Sequence, residues 1–101
     1  MKAKYRYIIS KFAEAELPLA LAQTEMKSDY AVKQRATTAA ILRQVENLSQ
    51  YAIADILHRD QSSISRILRL HNDLLLTDKN YKNTFEKIKQ NYIERNAQRS
   101  E

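Results

Sequence analysis

The sequence predicts an all-α fold, a single helical domain of five to six helices, on three grounds. Its 101 residues include no Gly and one Pro, the residues a sheet protein needs at its turns. Ala, Leu, Ile, Lys, Arg, Glu and Gln dominate, and these favour helix. Apolar residues also recur at helical spacing in nearly every segment. At 44 % apolar and 29 % charged, the chain is too apolar for a disordered polymer and long enough for one modest core.

Tyr5, Ile8, Ile9 and Phe12 stand at i, i+3, i+4 and i+7, which predicts a first amphipathic helix. Pro18 suits the first turn of a short second helix carrying Leu17, Leu19 and Leu21. Ser28-Asp29 is a helix start, and a longer helix through Arg35 to about Glu46 buries Ile41, Leu42 and Val45. Its Ala36, Ala39 and Ala40 allow close helix approach. Asn47-Leu48-Ser49 breaks the pattern, and Ser49 caps a short helix from Gln50 to Leu57. Asp60 caps the next, from about Gln61 to Leu75. Thr77 is the expected cap of the last, whose Tyr81, Phe85, Ile88 and Tyr92 form a stripe. The polar tail over 95–101 is expected to fray.

The net charge of +5 and a pI near 9.6 suit a polyanionic partner, because Lys and Arg on phosphates release counterions. With no cysteine, disulfides and thiolate metal sites are excluded. No apolar run approaches the roughly 18 residues of a membrane span, and no signal peptide is visible, so the expected place is the cytoplasm.

The segment Ser49 to Arg69, SQYAIADILHRDQSSISRILR, carries the functional signal. Ile53 and Leu57 form the apolar side of a first short helix, with Ala54 the small residue of a crossing. Ile64, Ile67, Leu68 and His71 line the inner side of a second, with Leu75 a turn on. Its other side carries Ser62, Ser65, Arg66 and Arg69 at i, i+3, i+4 and i+7, with Gln61 a turn before Ser65. Two short helices with a tight corner and a Gln/Ser/Arg face are the pattern of a helix-turn-helix, whose second helix enters the major groove. Gln pairs with adenine, Arg with guanine, and Ser with either polarity of base edge. Arg35, Arg43, Arg59 and Lys33 are the candidates for placing the phosphate backbone. A solvated helical hairpin is the bland reading of the same residues.

These residues resemble the C-terminal DNA-binding domain of the bacterial replication initiator DnaA, in the Trp-repressor-like group. Arg59-Asp60-Gln61-Ser62-Ser63-Ile64 stands where that family has a signature close to G-G-R-D-H-T-T-V. Arg35 precedes Asn47-Leu48-Ser49 at the family's separation, and Thr77-Asp78-Lys79 with Tyr81 and Phe85 resembles the start of its last helix. The likeness spans about Lys27 to Ile93. It implies base reading by Asp60, Gln61, Ser62 and Ser63, with Arg43 and Arg66 near phosphates or base edges. It also implies a minor-groove loop over 27–33, with Lys27 as its probe. Gln61 departs from the family's His, Ser62 and Ser63 from its threonines, and His58 stands at its paired glycines. The division that follows is an N-terminal helical extension over 1–26, a DnaA C-terminal-like domain over 27–94 and the polar tail.

No phosphate loop can form without Gly, so the initiator's ATPase is absent. The expected function is site-specific duplex-DNA binding by a stand-alone regulator of transcription or replication on the bacterial or phage nucleoid. DnaA-box-like sequences are its candidate targets. Glu14 and Glu16 face different ways on a helix, and His58 and His71 lack metal-ligand spacing. No catalytic residue, metal or cofactor is therefore expected. His71 reads as a packed core residue, and Tyr5, Tyr81 and Tyr92 as core, while Tyr30 and Tyr51 lie near the expected DNA side. Two partners besides DNA stay open: a second copy of the chain, and a protein docking on the Tyr5/Ile8/Ile9/Phe12 helix. The latter is the alternative reading, a protein-interaction module (anti-repressor, antitoxin or initiator-sequestering protein) with only non-specific DNA affinity.

Overall fold

Side chains that cap backbone N–H groups set most of the helix starts. The computed structural model describes residues 5–15, 23 and 28–99, the side chains of 14 and 96–99 excepted. The expected Pro18 helix with Leu17, Leu19 and Leu21, and the minor-groove candidate Lys27, lie outside the described residues. Five helices are described: α1 (Arg6–Glu14), α2 (Asp29–Gln44), α3 (Gln50–Leu57), α4 (Gln61–Thr77) and α5 (Lys79–Arg99). Ser28 Oγ accepts from the Ala31 N–H at 3.2 Å and opens α2. Ser49 Oγ accepts from the Ala52 N–H at 3.2 Å and opens α3. Both hydroxyls satisfy amides that the first helical turn otherwise leaves unbonded.

The expectation that Thr77 caps the last helix is corrected. Thr77 is the final residue of α4, and its hydroxyl donates to the Asp73 carbonyl one turn back at 2.8 Å. Asp78 Oδ1 accepts from the Tyr81 N–H at 3.0 Å instead. A carboxylate caps with a full charge on the positive end of the helix, where a hydroxyl offers only a dipole. That bond, then Lys33, holds the Asp78 carboxyl below its usual range. The backbone of α5 continues through Arg99 rather than ending near Arg95.

α2 is the centre of the assembly. From Arg35 to Leu42 every residue is buried, which requires neighbours on all sides. α3, α4 and α5 pack against it, and Ala36, Ala39 and Ala40 permit the short separations. α4 also packs on α3 and α5, while α1 lies along α5. One apolar cluster runs through all five helices, from Tyr5, Ile8 and Phe12 to Ile41, Ile53, Ile64, Phe85 and Tyr92. The expected stripe of α1 is confirmed except at Ile9, which is exposed. Tyr81, Phe85 and Tyr92 bury the expected stripe of α5, with Ile88 partly buried.

Two polar clusters tie the outer helices to this core. Lys11 of α1 donates to both oxygens of Glu46 at 3.0 and 3.1 Å, and the Tyr92 hydroxyl of α5 donates to the same carboxylate. The second cluster is fully interior. The Thr37 hydroxyl lies 3.5 Å from the Tyr81 hydroxyl, which in turn is 2.6 Å from His71 Nδ1, while His71 Nε2 is buried with no hydrogen-bond partner among the described residues. The His71 ring also meets Phe85 edge-on at 4.5 Å. His71 is the packed residue that its place on the apolar side of α4 implied.

Burial, then the nearby charge of Lys89, holds the His71 imidazole below its ordinary 6.5. The folded protein therefore resists a proton that the unfolded chain accepts below about 6.5. Stability should be constant above that pH and fall beneath it, by at most about 1.4 kcal/mol per pH unit for one proton. Urea unfolding at pH 7.5 and 5.5 should show this slope in the wild type and a flatter one in His71→Phe. An equal slope in both would place the proton uptake elsewhere. Removing the shared acceptor with Glu46→Ala should cost about 1.5–3 kcal/mol, since its hydrogen bonds include a charged donor. A cost near zero would show that α1 is held by apolar packing alone.

Candidate nucleic-acid interface

The interface candidate begins at the corner between α3 and α4. His58 takes the left-handed conformation, φ 58° and ψ 45°. Its N–H bonds to the Asp55 carbonyl at 3.4 Å, and the next N–H, of Arg59, bonds to the Ala54 carbonyl at 2.9 Å. This paired pattern, with a left-handed residue between, is the Schellman ending of a helix. Glycine usually holds that position because a Cβ is disfavoured there. Histidine is among the residues that tolerate it, so the corner forms without a glycine.

Asp60 then opens α4. Its Oδ1 accepts from the Ser63 N–H at 2.7 Å and from the Ser62 hydroxyl at 2.9 Å. Ser63, bonding through its backbone, and then Ser62 hold the Asp60 carboxyl below its usual range. The carboxylate is thus the helix cap, which qualifies its expected part in base reading. Ser63 itself is only half exposed.

α4 turns Ile64 and His71 fully inward, with Ile67, Leu68, Leu74 and Leu75 partly buried around them. The opposite face exposes Gln61, Ser62, Arg66 and Arg69. Ser62, Arg66 and Arg69 lie in one row along the helix, and Gln61 stands at its edge, a turn before Ser65. Ser65 stands beside them, half buried, and its hydroxyl donates to Gln50 Oε1 at 2.8 Å. Gln50, the first residue of α3, was not among the sequence candidates. A bond across fifteen positions has no local periodicity by which to recognise it. Asp73, a turn beyond Arg69, ends the cationic stretch.

The backbone candidates divide. Arg43 is exposed, and its Nη1 donates to the Leu48 carbonyl at 3.0 Å, so the guanidinium lies over the α2–α3 connection. Arg59 is half buried beside an open groove it shares with Ser49, Tyr51 and Asp55. Tyr51 and Tyr30 are exposed. Lys33 is held between two carboxylates, Asp29 and Asp78, each at 3.0 Å. Both raise its already high pKa, Asp29 first. Binding a phosphate would compete with both pairs. Arg35 is corrected: at 8 % exposure it belongs to the interior rather than to a phosphate-facing surface. Its position on the all-round buried stretch of α2 is the cause, and burial, then Arg59, lowers its guanidinium pKa. No single-helix pattern on α2 marks that burial, because small residues occupy the helix on every side.

Among the described residues, no cluster of three or more His, Asp or Glu could hold a metal ion, and no helix is long and apolar enough to cross a membrane. No family model matches the chain, and no match is found among curated proteins or solved structures.

The left-handed corner makes a direct prediction. His58→Val, β-branched at φ 58°, should destabilise the fold by about 1–2 kcal/mol. His58→Gly should leave stability unchanged or raise it slightly, since it trades Cβ strain for chain entropy. Thermal unfolding of both variants reads this, and equal melting temperatures would mean the corner is not left-handed.

Proposed function

We propose that the chain binds duplex DNA at defined sequences through α4 and catalyses no reaction. It acts as a regulator of transcription or replication on the nucleoid, and DnaA-box-like sequences are the first targets to test. The observation that carries this reading is the exposed row Ser62, Arg66 and Arg69, with Gln61 exposed at its edge in the first turn. It lies on a helix whose other side is packed on α2, α3 and α5. A helix braced on one side and polar on the other can be laid in a major groove about 12 Å wide without disturbing the core. The Ser49 and Asp60 caps and the left-handed corner at His58 hold α3 and α4 at a set angle. Arg66 and Arg69 supply cationic N–H donors for guanine or phosphate, and Gln61 in the first turn suits adenine. The net charge of +5 favours the encounter.

The protein-partner reading loses its main surface. Tyr5, Ile8 and Phe12 of α1 are buried within the chain's own core, so that stripe is not available to a partner. Copies of this chain could still pair on DNA, and the symmetry of a selected sequence would report it.

Selection of binding sites from random duplex DNA at about 150 mM salt should enrich a defined motif. Gln61→Ala should weaken binding to that motif by about 1–3 kcal/mol and relax one base position. Absence of any enriched motif would count against site-specific binding. An equal loss on random DNA would remove Gln61 from the reading set.

A further inference from the structure

The reading face carries two serines, and the structure fixes the hydrogen-bond polarity of each. A hydroxyl has one proton to donate and two lone pairs to accept with. On a recognition helix a serine ordinarily serves either polarity of base edge. Here the Ser62 hydroxyl is 2.9 Å from Asp60 Oδ1. An ionised carboxylate only accepts, so the direction of this bond is forced. Asp60 stays ionised at the start of α4, where Ser63 and Ser62 both donate to it. The Ser65 hydroxyl in turn donates to Gln50 Oε1 at 2.8 Å. Both protons are therefore directed into the protein, and what these serines turn outward is lone pairs.

Resting on the DNA-binding reading above, we infer that Ser62 and Ser65 read the major groove as hydrogen-bond acceptors only, selecting the exocyclic amines of adenine and cytosine. Guanine O6 and N7, adenine N7 and thymine O4 are acceptors, and two lone pairs set against each other repel. The donors of the face are then Gln61, Arg66 and Arg69, whose guanidinium and amide N–H groups suit those acceptors. The face becomes a row of mixed polarity along α4. Asp60 gains a second role: besides capping the helix, it sets the polarity of the Ser62 contact. Gln50 does the same for Ser65 from a different helix, which makes it a positioning residue.

Each base pair carries one such amine in the major groove, on adenine or on cytosine. The identity of a selected base therefore does not separate an accepting serine from a donating one. Removing single groups from the base does. Sites are first selected with the wild type and with Ser62→Ala in parallel, which locates the base pair that depends on Ser62. Position 62 is exposed, so this variant should keep its fold. Two altered duplexes follow at that pair: one lacking the amine (purine for adenine, or pyrimidin-2-one for cytosine) and one with 7-deazapurine in place of the purine.

Loss of the amine should weaken wild-type binding about 3–10-fold, the range of a neutral hydrogen bond, and leave Ser62→Ala unaffected beyond the change intrinsic to the duplex. The 7-deaza duplex should affect both proteins equally. A 7-deaza penalty confined to the wild type would mean that Ser62 donates, and would overturn the inference. So would an amine penalty of the same size in both proteins, or a motif identical in wild type and Ser62→Ala. Absence of any motif with the wild type is a different failure: it removes the DNA-binding reading itself.

Discussion

The close packing of α2 is the constraint on which the rest of this structure depends. A helix buried from Arg35 to Leu42 needs neighbours on every side, and three of the other four described helices contact it. Small residues set those distances. With alanines at 36, 39 and 40 the backbones approach closely, so apolar side chains from α3, α4 and α5 fill the remaining space. A larger residue at any of these positions would push a neighbour outward, and interiors packed to crystal density do not absorb such shifts easily. The stance of α4 follows from this. It rests on α2 along its inner stripe, and its polar row is left on the far side.

Polar groups do the joining where apolar area is scarce. A chain of this length buries a limited core, and two polar clusters, one part-buried and one interior, supplement it. Lys11, Glu46 and Tyr92 bring α1, the end of α2 and α5 to one carboxylate. Thr37, Tyr81 and His71 link α2, α5 and α4 through one phenol. Hydrogen bonds contribute modestly when made and cost more when left unmade inside a protein. Such clusters therefore act as much on the uniqueness of the packing as on its strength. The position of His71 on α4 means that the helix carrying the proposed reading row is also anchored by its only buried polar side chain.

Hydrogen bonds also organise the surface. At the start of α4, Asp60 serves the backbone and a side chain at once, and Gln50 joins the first turns of two helices. A row of side chains pre-set in this way loses less freedom on contact than one that must choose among rotamers and hydroxyl orientations. In the proposed function the division of labour is then plain: α2 sets the helix, the two caps and the corner set its angle, and internal hydrogen bonds set the polarity of what it presents.

What the sequence determined by itself was local. Helical periodicity located the helices, and Ser28, Ser49 and Asp60 marked three starts, because capping depends on residues within one turn. The inward positions of Ile64 and His71 and the outward row of Ser62, Arg66 and Arg69 were legible for the same reason: on one helix, spacing alone decides which residues share a face. Asp78 was missed as a cap because Thr77 beside it suits the position by type, and only the end of α4 decides between them. Tertiary structure alone decided the rest. It placed Arg35 inside, brought Asp78 to Lys33, and paired Ser65 with Gln50. Each of these depends on which helix lies beside which, and that is settled by the summed packing of five helices rather than by any pattern within one.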